Sequence, residues 1–159
     1  MRRPWNLTNL PIYSLVTYDN LGNYNMNICT YVSVINMNPK IYTISIDFRS
    51  FTYLNLMNKS SKNLLQCLSK DNINTVLTLG KKSGKTFNKS DYLNAKGLIG
   101  MWKGIHYLKN TSFLLELKNM KKIKDFPDHA LFKFELNSFK CFNDSLLTFN
   151  DLVDNRIIL

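Results

Sequence analysis

The segment Arg49-Ser50-Phe51-Thr52 brings a guanidinium and two hydroxyl groups to one short stretch of the chain. It follows an alternating pattern typical of a β-strand and opens a stretch with helical spacing. The first turn of a helix offers free N–H groups to an anion, and arginine can bind two phosphate oxygens at once. These residues predict a phosphate site at Arg49, Ser50 and Thr52. They equally allow Ser50 and Thr52 as plain helix caps with Arg49 on the surface.

Residues 27–31 form a second candidate, because small polar side chains alternate there along a predicted strand. Such a strand can present its backbone N–H and C=O groups to a heterocycle. The residues alone favour the simpler interpretation of an edge strand with a polar outer face. The candidate residues are Asn27, Ile28, Cys29, Thr30 and Tyr31.

The loop Gly80-Lys81-Lys82-Ser83-Gly84-Lys85-Thr86 is similar to a P-loop but lacks its spacing. A P-loop places four residues between its glycines, whereas three lie between Gly80 and Gly84. The strand-rich pattern also fails to supply the parallel α/β sheet that a P-loop requires. The residues alone therefore indicate a solvated basic loop rather than an ATP or GTP site.

The composition gives weaker indications. A net charge of +10 would suit a polyanionic partner, but many lysines beside only four arginines are typical of AT-rich coding, to which we attribute most of the charge. Three widely spaced cysteines and two histidines predict neither a disulfide framework nor a metal site. We expect a single domain over residues 1–159, in a reducing cytoplasm, with no signal peptide and no membrane span.

The elements that would position these residues are mainly strands. We predict strands at residues 12–18, 24–33, 41–48, 63–68, 113–117 and 131–139. Short helices are predicted at 51–57, with Thr52 at or near the N-cap, and at 71–79, with Gly80 as a left-handed C-terminal residue. Residues 81–89 form a predicted loop, and 97–109 carry no clear pattern. Many short strands with few helices indicate a barrel or sandwich.

Four motifs in order resemble the flavin reductase-like FMN-binding split-barrel family. The first is the opening of the chain, where Pro11, Val16-Thr17, Gly22 and Asn25 precede the small polar strand and Asn38-Pro39. The others are the helix start from Ser50 to Asn55, the Ser83-Gly84 loop that ends at Lys89, and the strand entry Asp128-His129-Ala130-Leu131-Phe132. The resemblance covers about residues 11–139. Lys40, Asn88 and Pro127 depart from the family pattern. These departures weaken the assignment of the contacts to the nicotinamide more than that of the contacts to FMN.

This resemblance implies a mainly β fold, a Greek-key-like split β-barrel with a few short helices. It implies FMN as cofactor, its ring and ribityl chain against Asn27, Ile28, Cys29, Thr30 and Tyr31, and its phosphate on Arg49, Ser50 and Thr52. Lys89 would approach the flavin from the loop. His129 would stand on the substrate side, although a histidine that merely bonds a neighbouring strand remains equally open.

The resemblance further implies an NAD(P)H-dependent flavin reductase, a homodimeric enzyme that transfers hydride from NADH or NADPH to FMN. A non-enzymatic flavin-binding or electron-transfer protein on the same fold is the main alternative. A basic nucleic-acid-binding barrel and a split-barrel oxidase acting on pyridoxamine phosphate are less favoured alternatives. Whether Cys29 has a redox role is left open by the residues.

Overall fold

A computed structural model describes residues 3–158 of the chain. The described part contains nine strands and four α-helices. The strands are β1 (Tyr13–Tyr18), β2 (Tyr24–Met26), β3 (Val32–Met37), β4 (Lys40–Asp47), β5 (Asn63–Cys67), β6 (Ile99–Trp102), β7 (Ile105–Leu108), β8 (Phe113–Asp125) and β9 (His129–Cys141). The helices are α1 (Phe51–Met57), α2 (Ile73–Lys81), α3 (Lys89–Ala95) and α4 (Phe149–Asp154). The predicted mainly β fold with short helices is confirmed.

Seven strands form one antiparallel sheet in the order β2-β1-β5-β8-β9-β4-β3, and β6 and β7 form a separate hairpin. The chain between β2 and β3 joins the two edges of this sheet. Cys29 exchanges both backbone hydrogen bonds with Tyr13 on β1, each at 2.9 Å. Two residues later, the carbonyl of Tyr31 accepts a hydrogen bond from Ser45 N on β4. Residues 27–31 thus close the sheet into a barrel.

The predicted single strand over residues 24–33 is wrong, because two strands with an irregular segment between them occupy this range. Asn27 accounts for the break. Its side-chain Oδ1 accepts a hydrogen bond from Leu15 N at 2.7 Å and so takes the place of a ladder carbonyl. β2 therefore ends at Met26, and β3 begins at Val32 on the opposite edge of the sheet.

The barrel interior is built from alternating apolar side chains. Ile44 and Ile46 on β4 are buried, as the alternation of this strand predicts, and Phe132 and Phe134 on β9 are fully enclosed. A second apolar cluster packs α2, α3, α4 and the β6–β7 hairpin against the outer side of β1 and β5. Buried Gln66 on β5 connects the sheet with the hairpin, because its Nε2 donates to Ser14 Oγ on β1 and its Oε1 accepts from Leu108 N on β7.

One predicted helix end is confirmed and one is corrected. Ser50, which the sequence allowed as a cap, is the N-cap of α1, since its hydroxyl accepts a hydrogen bond from Tyr53 N at 3.0 Å, and Thr52 lies near it in the first turn. Gly80 is not a left-handed end residue, because α2 continues to Lys81 and Lys82 N still bonds the carbonyl of Thr78.

Several elements were not predicted. Residues 97–109 contain the β6–β7 hairpin, whose two-residue turn places Lys103 and Gly104 at φ of 50° and 69°, as a type I′ turn requires. The predicted loop over residues 81–89 is shorter, because Lys89 already begins α3. α4 lies near the end of the chain, where no helix was predicted.

Candidate functional site

A cleft of about 690 Å³ opens where residues 27–31, the junction between β4 and α1, the loop between α2 and α3, and the start of β9 meet. This volume falls within the range of small-molecule binding sites. All ten site residues predicted from the sequence line it, although they come from four separate segments. They are Asn27, Ile28, Cys29, Thr30, Tyr31, Arg49, Ser50, Thr52, Lys89 and His129.

Arg49 lies at the rim of the cleft, with 88% of its side chain exposed. Its Nε and Nη2 donate to the two carboxylate oxygens of Asp47, at 3.1 and 2.7 Å. The Arg49 backbone N–H donates to the same carboxylate at 2.8 Å. These hydrogen bonds lower the pKa of Asp47 to about 2, so the carboxylate stays charged near neutral pH. Arg49 and Asp47 therefore form an ion pair at the entrance.

The two hydroxyls predicted for the phosphate site differ in their surroundings. Ser50 Oγ donates to the carbonyl of Asp47 at 2.8 Å and accepts from Tyr53 N, so capping α1 occupies this side chain. Thr52 is 1% exposed, and its Oγ1 accepts from Asn25 Nδ2 at 3.3 Å. That hydrogen bond leaves the Thr52 hydroxyl hydrogen available as a donor. Thr52 and Asn25 line the cleft together.

The loop between α2 and α3 touches the start of α1 through Gly84. A Cβ on Gly84 would lie 2.4 Å from Asn25 Oδ1 and 2.8 Å from Phe51 Cδ1. Only a residue without a side chain fits this approach, so Gly84 sets how closely the basic loop covers the cleft. Lys81, Lys82 and Ser83 of this region line the cleft as well.

Lys89 is the most enclosed of the predicted basic residues, with 6% of its surface exposed. Its Nζ donates to the carbonyls of Met26 at 2.9 Å and Leu79 at 2.7 Å. Leu79 lies in the last turn of α2, where a cation interacts favourably with the helix dipole. Burial lowers the pKa of the Lys89 ammonium to about 8.

Several side chains of residues 27–31 are engaged within the fold. The oxygen of the Asn27 side chain is occupied by Leu15 N, and Ile28 packs toward Gly80 on α2. Cys29 is buried in the barrel core, and burial raises the pKa of its thiol to about 12. A thiol that stays protonated near neutral pH is a poor nucleophile, which disfavours a redox role for Cys29.

His129 begins β9 and lies directly opposite Asp47 in the β4–β9 register. Its Nδ1 is 2.7 Å from Asp128 Oδ1, and its ring meets the ring of Tyr31 edge to face at 5.9 Å. Tyr31 is 57% exposed. His129 therefore lies near Asp47 at the rim of the cleft, apart from buried Lys89.

Sequence reasoning missed Asp47 as a site residue. The alternation of β4 had placed it on the polar face of the strand, and its position two residues before Arg49 was the available signal. The other cleft residues not predicted as binding residues include Asn25, Ser45, Ile46, Phe51 and Leu79.

Residues 3–158 contain no cluster of three or more histidine, cysteine, aspartate or glutamate side chains that could hold a metal ion. None of their helices is both long and apolar enough to cross a membrane.

Comparison with known proteins places the fold. No protein-family model and no curated protein sequence matches this chain. Solved structures do match at low identity. The flavin reductase of styrene monooxygenase from Pseudomonas putida S12 is 13% identical, with a TM-score of 0.76 over 94% of this chain and 91% of that one.

Two further structures agree. An FMN-binding protein from Thermus thermophilus is 16% identical, with a TM-score of 0.73 over 88% of this chain and 75% of that one. Flavoredoxin from Methanosarcina acetivorans is also 16% identical, with a TM-score of 0.72 over 84% and 69% of the two chains. The fold expected from the four sequence motifs is therefore confirmed: this chain has the split-barrel fold of the flavin reductases and FMN-binding proteins to which it is similar.

Proposed function

We propose that the cleft binds FMN and that the chain is a flavin reductase, which transfers hydride from NADH or NADPH to the flavin. The observation that carries this proposal is the convergence of all ten predicted residues on one cleft of suitable size. The fold shared with proteins described as flavin reductases and FMN-binding proteins supports it.

The lining of the cleft fits FMN at both ends. Arg49, the Thr52 hydroxyl and the basic residues Lys81 and Lys82 offer donors and positive charge to a phosphate. The ring system would lie against residues 27–31, where the backbone groups of Cys29 and the carbonyls of Thr30 and Tyr31 are already paired within the fold. The other backbone N–H and C=O groups of this segment would be its hydrogen-bond partners. The close approach at Gly84 brings the basic loop against the proposed phosphate end.

Bound flavin would itself supply the hydride-accepting chemistry. The protein's task is then to hold the cofactor and leave one side open to the nicotinamide. His129 and Tyr31 lie at the exposed rim, and we propose this rim as the nicotinamide side. Hydride transfer to the flavin requires no acid or base from the protein, so the proposed residues bind and orient the cofactor and need no catalytic pair.

The direct test is the absorption spectrum of the purified protein with added FMN, followed by a steady-state assay with NADH and with NADPH. We expect bound-flavin bands near ~450 and ~370 nm and oxidation of at least one nicotinamide. Failure to bind FMN would refute the cofactor proposal. FMN binding without turnover of either nicotinamide would refute the reductase proposal alone.

That second outcome would favour a flavin-binding or electron-transfer protein. The observation in its favour is that the similar structures include flavoredoxins and an FMN-binding protein beside the reductases. Reduction of the bound flavin by a chemical reductant, together with its reoxidation by a protein electron acceptor, would identify this role.

We propose a homodimer as the assembly, as the family resemblance implies. β3 is an edge strand with three exposed apolar side chains, Val34, Ile35 and Met37, of which Met37 is 72% exposed. Exposed apolar side chains grouped on one element suit a protein interface. Light scattering should report a dimer, and Ile35→Glu should shift it toward monomer without unfolding it. A monomeric wild-type protein would refute the dimer.

A further inference from the structure

The Lys89 ammonium has one more donor than the protein uses. Nζ carries three N–H groups, and the carbonyls of Met26 and Leu79 accept two of them. Among residues 3–158 no other acceptor lies within hydrogen-bond distance. A buried cation with an unused donor is costly unless something else pairs with it.

None of the surrounding acids neutralises Lys89. The Asp19 carboxylate in the β1–β2 turn accepts from the N–H groups of Leu21 and Asn23, and the Asp91 carboxylate on α3 accepts from Asn88. Neither forms an ion pair with Lys89 in the described part of the chain.

The remaining titratable neighbours do not pair with Lys89 either. Tyr24 on β2 donates its hydroxyl hydrogen to the Ser90 carbonyl and to Asn94. Lys81 and Lys82, at the end of α2, and Lys85 in the loop add positive charge, while the Arg49–Asp47 pair and His129 lie at the rim. Lys89 is therefore a buried positive charge with no counter-ion from the protein.

Although it is buried, Lys89 borders two cavities. Lys89 lines the main cleft and also a second cavity of about 330 Å³ on the other side of the loop. The two cavities share only Asn25, Phe51, Gly84 and Lys89 among their described lining residues. Lys89 thus belongs to the wall where the two spaces meet.

We propose that bound FMN supplies the missing counter-charge of Lys89, so that FMN binding and retention of the Lys89 proton are coupled. The inference rests on the proposed function. FMN has two groups that could accept a hydrogen bond from Lys89: the negatively charged phosphate and the oxygen-bearing edge of the ring. Riboflavin, which lacks the phosphate, distinguishes these two sources.

The coupling fixes the sign of a pH effect. Burial lowers the pKa of free Lys89 to about 8, whereas an acceptor in the complex would raise it. Below pH 8 the free and bound proteins are both protonated, so affinity is constant. Above pH 8 binding requires proton uptake, and the dissociation constant should rise by up to about tenfold per pH unit.

The test is a titration of the whole protein with FMN and with riboflavin between about pH 7 and about pH 9.5, a range above the second phosphate pKa of about 6. The variants are Lys89→Arg, which keeps its charge throughout this range, and Lys85→Met as a matched loop control. Calorimetry at about pH 8.5 in two buffers of different ionisation enthalpy measures proton uptake directly. Thermal unfolding of each variant checks the fold.

We expect wild type and Lys85→Met to lose FMN affinity above pH 8 with proton uptake, and Lys89→Arg to show a flat profile. The same loss with riboflavin would assign the acceptor to the ring, and loss with FMN alone would assign it to the phosphate. A flat wild-type profile without proton uptake, or an unchanged slope in Lys89→Arg, would overturn the inference. Absence of FMN binding at every pH would instead refute the proposed function.

Discussion

Arg49 forms a bidentate ion pair with Asp47, the residue two positions before it, through two parallel N–H···O hydrogen bonds. Nε and Nη2 of the guanidinium lie 3.1 and 2.7 Å from the two carboxylate oxygens. A phosphate at this site would thus meet an arginine already oriented by a carboxylate, and that carboxylate would lie close to the phosphate. The pair fixes the direction of Arg49 but also reduces the positive charge at the rim.

Replacing Arg49 by alanine should weaken FMN binding by roughly tenfold and leave riboflavin binding nearly unchanged, because only FMN carries the phosphate. The variant loses a donor and also leaves the charged Asp47 carboxylate unpaired. Fluorescence titration with both flavins measures the difference. Asp47→Asn is the matched control, and it should bind FMN at least as well as wild type. Equal weakening of both flavins by Arg49→Ala would contradict the phosphate assignment.

Gly84 and Gly80 offer a paired test of the basic loop. Alanine at Gly84 would collide with Asn25 and Phe51, so we expect a loss of about 1–3 kcal/mol in the free energy of unfolding and weaker FMN binding. Alanine at Gly80 would meet Ile28 at an ordinary 3.5 Å inside α2. It should be neutral or stabilise by up to about 1 kcal/mol. Denaturant unfolding compares the two, and a destabilised Gly80→Ala would contradict the helical conformation at Gly80.

The parts of this molecule that sequence reasoning predicted are local ones. The alternation of β4 places Ile44 and Ile46 in the core, and the strand-to-helix junction brings Arg49, Ser50 and Thr52 together within four residues. In both cases, neighbours along the chain determine the outcome. The family resemblance then assigned distant segments to the same site, which no local pattern could do.

The missed features depend on contacts between distant residues. Asn27 ends β2 because its side-chain oxygen, instead of a backbone carbonyl, accepts the hydrogen bond from the N–H of Leu15, twelve residues earlier. α2 extends past Gly80, and the carbonyl of Leu79 in its last turn accepts a hydrogen bond from Lys89, ten residues later. A hydrophobicity pattern contains neither contact, so the sequence predicted one long strand and an early helix end.

The barrel core should respond strongly to truncation of Phe132, which is fully buried on β9 and packs near Phe134 and Tyr53. Phe132→Ala should cost about 3–5 kcal/mol of unfolding free energy, since it removes a large apolar side chain and leaves a cavity. Phe139→Ala on the same strand is the control, because Phe139 is 65% exposed. It should change stability by less than about 0.5 kcal/mol. Similar losses in both variants by urea unfolding would contradict the inward assignment of Phe132.

His106 should make stability depend on pH. The Tyr18 hydroxyl lies 2.9 Å from His106 Nδ1 and accepts a hydrogen bond from the His106 backbone N–H, and the imidazole stacks on Tyr24. In the tautomer with its proton on Nε2, Nδ1 accepts the hydroxyl hydrogen of Tyr18. Tyr18 can donate only while Nδ1 is unprotonated. Burial first, and then the positive charge of Lys62, lower the pKa of His106 below its ordinary value of 6.5.

Because this pKa is lower in the folded protein, the unfolded chain binds more protons as the pH falls below 6.5. The stabilisation is therefore complete above about pH 6.5 and is lost progressively as the pH falls toward the folded value. The melting temperature of wild type should be lower at about pH 5.5 than at about pH 7.5. His106→Asn, which offers an uncharged amide oxygen, should lose most of this difference. His129→Asn removes the only other histidine and should retain it. An equal pH dependence in His106→Asn and wild type would assign the effect to other groups.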